Sequence, residues 1–120
     1  MQRSIFTDEH DMFRSAFRTF LEREMVPYRE EWSEAEIVGR SVFEKAGAAG
    51  FLAMAVPKED GGAGVSDFRY SQIITEELFR ADLFAAGLGL TLHNDVCLPY
   101  FLDYCNDGKK GRWLAGMASG

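Results

Sequence analysis

The sequence predicts an all-α fold, an orthogonal bundle of five or six helices. Apolar residues recur at three- and four-residue intervals in several stretches, the mark of amphipathic helices. No stretch alternates apolar and polar residues for long enough to suggest a strand. The composition supplies a core: 47% of the 120 residues are hydrophobic and ten are Phe. A chain of this size is one domain and buries roughly two-thirds of the surface its unfolded form exposes.

Thr7 is placed to cap the first helix, its hydroxyl accepting from a free backbone N–H. Asp8 and Glu9 then set negative charge at the positive end of the helix dipole. Phe13, Ala16, Phe17, Phe20 and Leu21 form one apolar face, so the helix runs from Asp8 to about Met25, where Pro27 interrupts it. The acidic segment from Tyr28 to Ile37 reads as a short helix followed by a turn at Gly39. Val42, Phe43, Ala46 and Ala49 make a second face, and Gly50 is a natural stop. Phe51 to Val56 is apolar and short; by pattern alone it could be a strand, but it reads as an extended buried link into the glycine turn. Pro57 and the glycines at 61, 62 and 64 make a shaped connector.

Helical spacing returns from Asp67 through Tyr70, Ile73, Ile74, Glu77, Leu78 and Ala81. Leu83 to His93 reads as a buried core helix, about half of what a bilayer crossing needs. Asn94 or Asp95 is expected to cap a further helix through Tyr104, with Pro99 in its first turn. Asp107 begins a last helix, in which Gly108 and Gly111 each cost about 1 kcal/mol against Ala and favour fraying.

Composition and spacing exclude several functions. A net charge of −6 argues against a nucleic-acid partner, which needs a basic face. The acidic start lacks the apolar run of a signal peptide, and no membrane span is visible. Cys97 and Cys105, eight residues apart in one helix, lie too far apart for a disulfide, so two free thiols and a cytoplasmic location are expected. No metal site is expected: neither His10 nor His93 completes a Glu-x-x-His pattern, and the cysteine spacing matches no metal motif. Gly62-Ala63-Gly64 lacks the third glycine of a dinucleotide fingerprint, because Asp67 stands in its place. Glu76 and Glu77 diverge by about 100° on a helix and do not converge on one substrate atom. They read as a solvated or interdomain face, with Glu76 and Arg80 as a weak i,i+4 pair; Arg80 and Asp82 alternatively hold the next turn. His93-Asn94-Asp95 reads as side chains capping backbone groups at a helix end, a ligand contact being the alternative.

Four motifs stand in order along the chain: Phe20-Leu21-Glu22-Arg23-Glu24-Met25-Val26-Pro27; Val56-Pro57-Lys58-Glu59-Asp60-Gly61-Gly62-Ala63-Gly64; Glu76-Glu77-Leu78-Phe79-Arg80-Ala81-Asp82; and Arg112-Trp113-Leu114-Ala115-Gly116-Met117-Ala118-Ser119-Gly120. From Phe6 to Gly120 this set resembles the amino-terminal helical domain of the acyl-CoA dehydrogenase family. The resemblance implies that residues 1–120 are the first domain of an enzyme whose middle β domain and C-terminal helical domain are absent here. A natural stand-alone relative is the alternative. Cys105, Gly108 and Gly111 depart from the family pattern around the last helix.

The implied activity is that of a flavoprotein oxidoreductase of fatty acid metabolism, with FAD as cofactor and α,β-dehydrogenation of fatty-acyl-CoA thioesters as the reaction. The base and most FAD contacts lie in the family's other domains. No catalytic or cofactor-binding residue is therefore assigned here, and the chain alone is expected neither to hold FAD nor to turn over. By position in the family, Leu88, Leu92 and Val96 would wall the acyl channel, with Gly87 and Gly89 keeping the facing side thin. Spacing alone also describes an ordinary core stripe. The implied partners are acyl-CoA, an electron-transfer protein and further copies of the same chain. A related oxidase, or a helical interaction module without enzymatic ancestry, remains open at this point.

Overall fold

The computed structural model describes residues 3–120. Among them there is no strand. Seven α-helices, two of them continuous through a π-helical turn, make up the described residues, and the all-α class is as predicted.

Helix α1 spans Asp8–Glu24 and buries Phe17, Phe20 and Leu21. Thr7 is its N-cap and closes a capping box with His10, its side chain facing the His10 backbone N–H as expected. The His10 ring reaches back: its Nδ1 accepts from the Thr7 backbone N–H at 3.0 Å and lies 2.8 Å from the Thr7 hydroxyl. A 3-10 turn at Val26–Tyr28, with Pro27 near its start, leads into the short α2, Arg29–Ala35. The reversal after α2 falls at Glu36, which takes a left-handed φ of 55°, and not at Gly39, which is the extended N-cap of α3 (Arg40–Ala48). α3 ends on Gly50 at φ 82°, with Phe51 N–H bonded to Ala46 O and Gly50 N–H to Gly47 O. This is a Schellman stop, and the left-handed residue in it favours glycine.

The link from Phe51 to Val56 is buried and non-helical, as its apolar pattern implied. Phe51 plugs the main core, its ring 5.3, 5.0 and 5.3 Å from those of Phe13, Phe17 and Phe20. A 3-10 turn, Lys58–Asp60, and the glycine turn connect to α4, Phe68–Arg80, whose N-cap Asp67 accepts from the Arg69 N–H. α4 packs along α1 and carries Ile74 and Leu78 into the core.

The largest departure from expectation lies between 83 and 105. The predicted break at Asn94 or Asp95 does not exist. Helix α5 (Phe84–Thr91) runs through a π-helical segment (Leu92–Cys97) directly into α6 (Leu98–Tyr104). Pro99 explains the accommodation: it lacks an N–H and crowds the carbonyl four residues back, and the wider π turn supplies different carbonyl spacing there. Nor is the apolar run of α5 buried all round; it buries Gly87 and Leu90 and leaves its outer face open. Gly87 and Gly89 face neighbouring helices. A Cβ at Gly87 would strike Leu78 on α4, and one at Gly89 would meet Phe43 on α3 at 2.7 Å, so both allow close helix packing. Finally α7, Asp107–Ser119, is capped by Asn106, whose side chain accepts from Lys109 N–H. It stays helical to Ser119 despite its glycines, because Leu114 and Ala118 bury against Ala53, Val56 and Leu98 in a second, smaller core.

Candidate functional site

Leu88, Leu92 and Val96 come together as the spacing suggested. They lie four residues apart on the continuous α5–π–α6 helix and are 49%, 48% and 48% exposed. Tyr100 and Tyr104 extend the same interval toward the end of α6 and are more exposed still. An unbroken helix thus presents five apolar or aromatic side chains outward, where a core stripe would have buried them.

Beneath this face the π-helix fixes three polar side chains in three directions. Asn94 points inward and is 8% exposed. Its Nδ2 donates to Phe51 O at 3.0 Å and its Oδ1 accepts from Ala53 N–H at 2.6 Å. It thereby satisfies two buried backbone groups of a link that has no ladder of its own, and it holds Ala53 at a left-handed φ of 49°. The expectation that this polar spot serves backbone groups holds, although it does so mid-helix and across the domain. His93 donates from Nε2 to Met117 O at 2.8 Å and ties the helix to α7.

Asp95 points into a cavity of about 180 Å³ between the link, the start of α4 and the π-helix. Apolar walls come from Met54, Val65, Phe68, Leu98 and Pro99. Burial raises the Asp95 pKa above the ordinary aspartate value, an effect that the Ser71 hydroxyl offsets only in part. Asp67 also lines the cavity but is fully engaged. Arg69 grips its carboxylate through Nε and Nη2, and His10 Nε2 lies 2.8 Å from Oδ2. Because His10 Nδ1 is the acceptor at Thr7, Nε2 carries the hydrogen and donates to Asp67. First Arg69 and then His10 hold the Asp67 carboxyl well below the usual range.

Glu77 overturns the reading of a solvated carboxylate pair. It is 2% exposed and joins three guanidinium groups: Arg18 at 2.8 Å, Arg80 at 2.7 Å and Arg14 at 3.1 Å. Arg80 therefore pairs with Glu77, not with Glu76, which binds Arg3, Arg14 and Gln72. Arg18 foremost pulls the Glu77 pKa down to about 2. The cluster clamps α1 to α4. The signal was present in the sequence: Glu77 shares the buried face of Ile73, Ile74 and Leu78, and Arg14 and Arg18 are one turn apart on α1.

The glycine turn does not fit a pyrophosphate. Its amides are engaged within the loop: Gly61 N–H to Lys58 O, Gly62 N–H to Pro57 O and Gly64 N–H to Val56 O. A Cβ at Gly62 would fall on the Val56 carbonyl, so backbone, not ligand, makes the close approach. A flavin dinucleotide finds no cradle in this loop. Among the described residues no group of three or more His, Cys, Asp and Glu could hold a metal ion. No described helix is long and apolar enough to cross a membrane.

Comparison with known proteins places these features. The family model described as acyl-CoA dehydrogenase, N-terminal domain, matches residues 7–120. The long-chain specific acyl-CoA dehydrogenase, mitochondrial, of Rattus norvegicus is 36% identical over 118 residues, which are 98% of this chain and 27% of that protein. The 3-(aryl)acrylate reductase of Clostridium sporogenes is 32% identical over 115 residues, 96% of this chain and 30% of that protein. The crystal structure of an acyl-CoA dehydrogenase from Geobacillus kaustophilus superposes with a TM-score of 0.89 at 38% identity, covering 98% of this chain and 30% of that one. The chain thus spans under a third of each of these relatives.

Proposed function

The chain belongs to the acyl-CoA dehydrogenase family, matching its N-terminal domain, and on that premise we propose that it walls the acyl channel of an FAD-dependent enzyme that desaturates fatty-acyl-CoA thioesters. The observation that supports this reading is the outward stripe of Leu88, Leu92 and Val96. A stable helix with a continuous apolar outer face requires an apolar occupant or neighbour. An acyl chain running along it, closed in by further domains, supplies both.

In this reading the flavin supplies the redox chemistry when it is bound, through residues outside this chain. The residues here do something simpler. Leu88, Leu92 and Val96 exclude water from the chain-binding face, and the Glu77 clamp keeps α4 and α1 rigid behind it. Alone, the domain neither holds FAD nor turns over acyl-CoA; the inward-bonded glycine turn supports the first part. Electrons pass to a partner protein, and the whole enzyme forms a homo-oligomer. The free thiols of Cys97 and Cys105 are compatible with a reducing cytoplasm.

The test is chain-length selectivity. In a complete enzyme carrying this domain, Leu88→Trp adds bulk to the wall, and the preferred acyl length should shorten. A kcat/KM profile across acyl lengths that does not move would remove the channel assignment.

A further inference from the structure

Helix α2 lies on the surface with an unpartnered face. It buries none of its seven residues, and a helix that short does not persist in water by itself. Trp32 and Val38, partly buried against the main core, hold it and the loop that follows. Between α2, that loop and the start of α5 lies a groove of about 370 Å³, within the size range of binding pockets. Trp32, Ile37, Val38, Ala85 and Ala86 give it an apolar floor, and Ile37 is 70% exposed. The rim is acidic. Glu36 and Asp82 both line the groove, and both take a left-handed φ of 55°. Among the described residues the remaining non-glycine residue with such a backbone is Ala53, which Asn94 holds. Strain of this kind collects at binding sites. Arg29 is the cation in the lining; it reaches Asp82 at 3.8 Å and donates to the Ala81 carbonyl at 3.4 Å.

We propose that this groove docks a basic segment of a partner protein, with one aromatic side chain seated between Trp32 and α5 and arginines or lysines on either side of it. Docking here is independent of the channel reading, since none of Leu88, Leu92 and Val96 lines the groove. Charge complementarity selects the occupant. Besides Glu36 and Asp82 at the rim, α2 exposes Glu30, Glu31 and Glu34. Among the described residues neither these three nor Glu36 enters an ion pair, and the Arg29–Asp82 contact is long and exposed. The chain as a whole carries a net charge of −6. Such a rim repels an acidic segment and draws in a basic one. The floor selects the anchor. Alanines at 85 and 86 leave room on the α5 side, and the Trp32 indole offers a second ring an edge or a face to pack on. An aromatic anchor on an apolar floor, ringed by charged pairs, is the common anatomy of a protein interface.

The 120-residue chain itself can be titrated by NMR with three synthetic peptides, Lys-Arg-Phe-Arg-Lys, Lys-Arg-Ser-Arg-Lys and Glu-Asp-Phe-Asp-Glu, each blocked at both ends. The first should bind about tenfold tighter than the second, the worth of partly burying one aromatic ring. It should shift the Trp32 indole signal and the amides of Ile37, Asp82 and Ala85, and added salt should weaken it. The acidic peptide should not bind. Glu36→Asn and Asp82→Asn should each weaken the first peptide about two- to fivefold. Asparagine tolerates the left-handed backbone, so these variants remove the charge and keep the conformation. Should Asp82→Asn fail to fold, Glu36→Asn and Ala85→Trp, which adds bulk at an exposed position of the groove, carry the comparison. Equal binding of the two basic peptides, or binding that the asparagine variants leave unchanged, would overturn the proposal. Shifts confined to Leu88, Leu92 and Val96 would overturn it and leave the channel wall standing. No shift with any peptide, or acidic-peptide binding as tight as that of the first, would overturn it as well.

Discussion

Replacing Asn94 tests whether one side chain holds the buried link in place. Asn94→Leu keeps the volume and removes both hydrogen bonds. The carbonyl of Phe51 and the N–H of Ala53 are then left in a site that is 8% exposed at Asn94. Each of the two orphaned buried groups costs about 1–3 kcal/mol, so the loss should be about 2–6 kcal/mol, from a total stability of roughly 5–15 kcal/mol for a domain of this kind. Asn94→Asp separates the two bonds. One oxygen can still accept from Ala53, but the other now faces the Phe51 carbonyl, and only the protonated acid can donate to it. The folded pKa of that variant therefore lies above its unfolded value of about 4. The variant should be closest to wild type below about pH 4 and lose stability as pH rises through the raised folded value. Urea unfolding of the three chains at pH 4 and pH 7, compared as differences from wild type, reads both effects. An Asn94→Leu cost under about 0.5 kcal/mol, or an Asn94→Asp difference that does not change with pH, would refute the assignment.

Glu77→Gln should cost about 3 kcal/mol, since a buried carboxylate shared by three guanidinium groups is lost; urea unfolding measures it. In wild type the Glu77 pKa is depressed to about 2 from its ordinary 4.5, so its contribution is complete above pH 4.5 and should disappear as pH falls toward 2. Gly62→Ala should destabilise by roughly 1–3 kcal/mol because the new methyl meets the Val56 carbonyl, whereas Gly111→Ala, in an exposed helix position with nothing nearby, should stabilise by about 1 kcal/mol. Thermal unfolding would show the opposite signs. The open stripe should make the isolated domain self-associate, and Leu92→Lys should weaken this; sedimentation showing wild type as a clean monomer at high concentration would count against it.

The helices were legible wherever one face met one core. Phe13, Phe17, Phe20 and Leu21 on α1, and Ile73, Ile74 and Leu78 on α4, repeat at the helical interval because each helix buries a single side. The glycine connector and the Gly50 stop were legible because backbone geometry there selects the residue. Long-range pairing was not. Nothing local to Glu77 says that three arginines surround it, since two of them lie about sixty residues away. The same holds for His10 and Asp67, which are 57 positions apart yet share a hydrogen bond that fixes the start of α1 against the start of α4. Polar residues on an apolar face were the available clue, and their partners were the missing half.

The misreading of residues 93–95 shows why the candidate site was only half visible. A His-Asn-Asp run four residues before Pro99 carries every local sign of a helix ending and another beginning. A break there would have let the two halves point in different directions, and Leu88, Leu92 and Val96 would not have shared a face. The π segment instead absorbs the proline while keeping one axis. It sends Asn94 inward to the Phe51 carbonyl and the Ala53 N–H of the buried link, turns Asp95 to the cavity and leaves Leu88, Leu92, Val96, Tyr100 and Tyr104 exposed on one continuous helix. Shortening the π segment by one residue should shift Tyr100 and Tyr104 by about 100° around the axis relative to Leu88, breaking the stripe while leaving α5 intact.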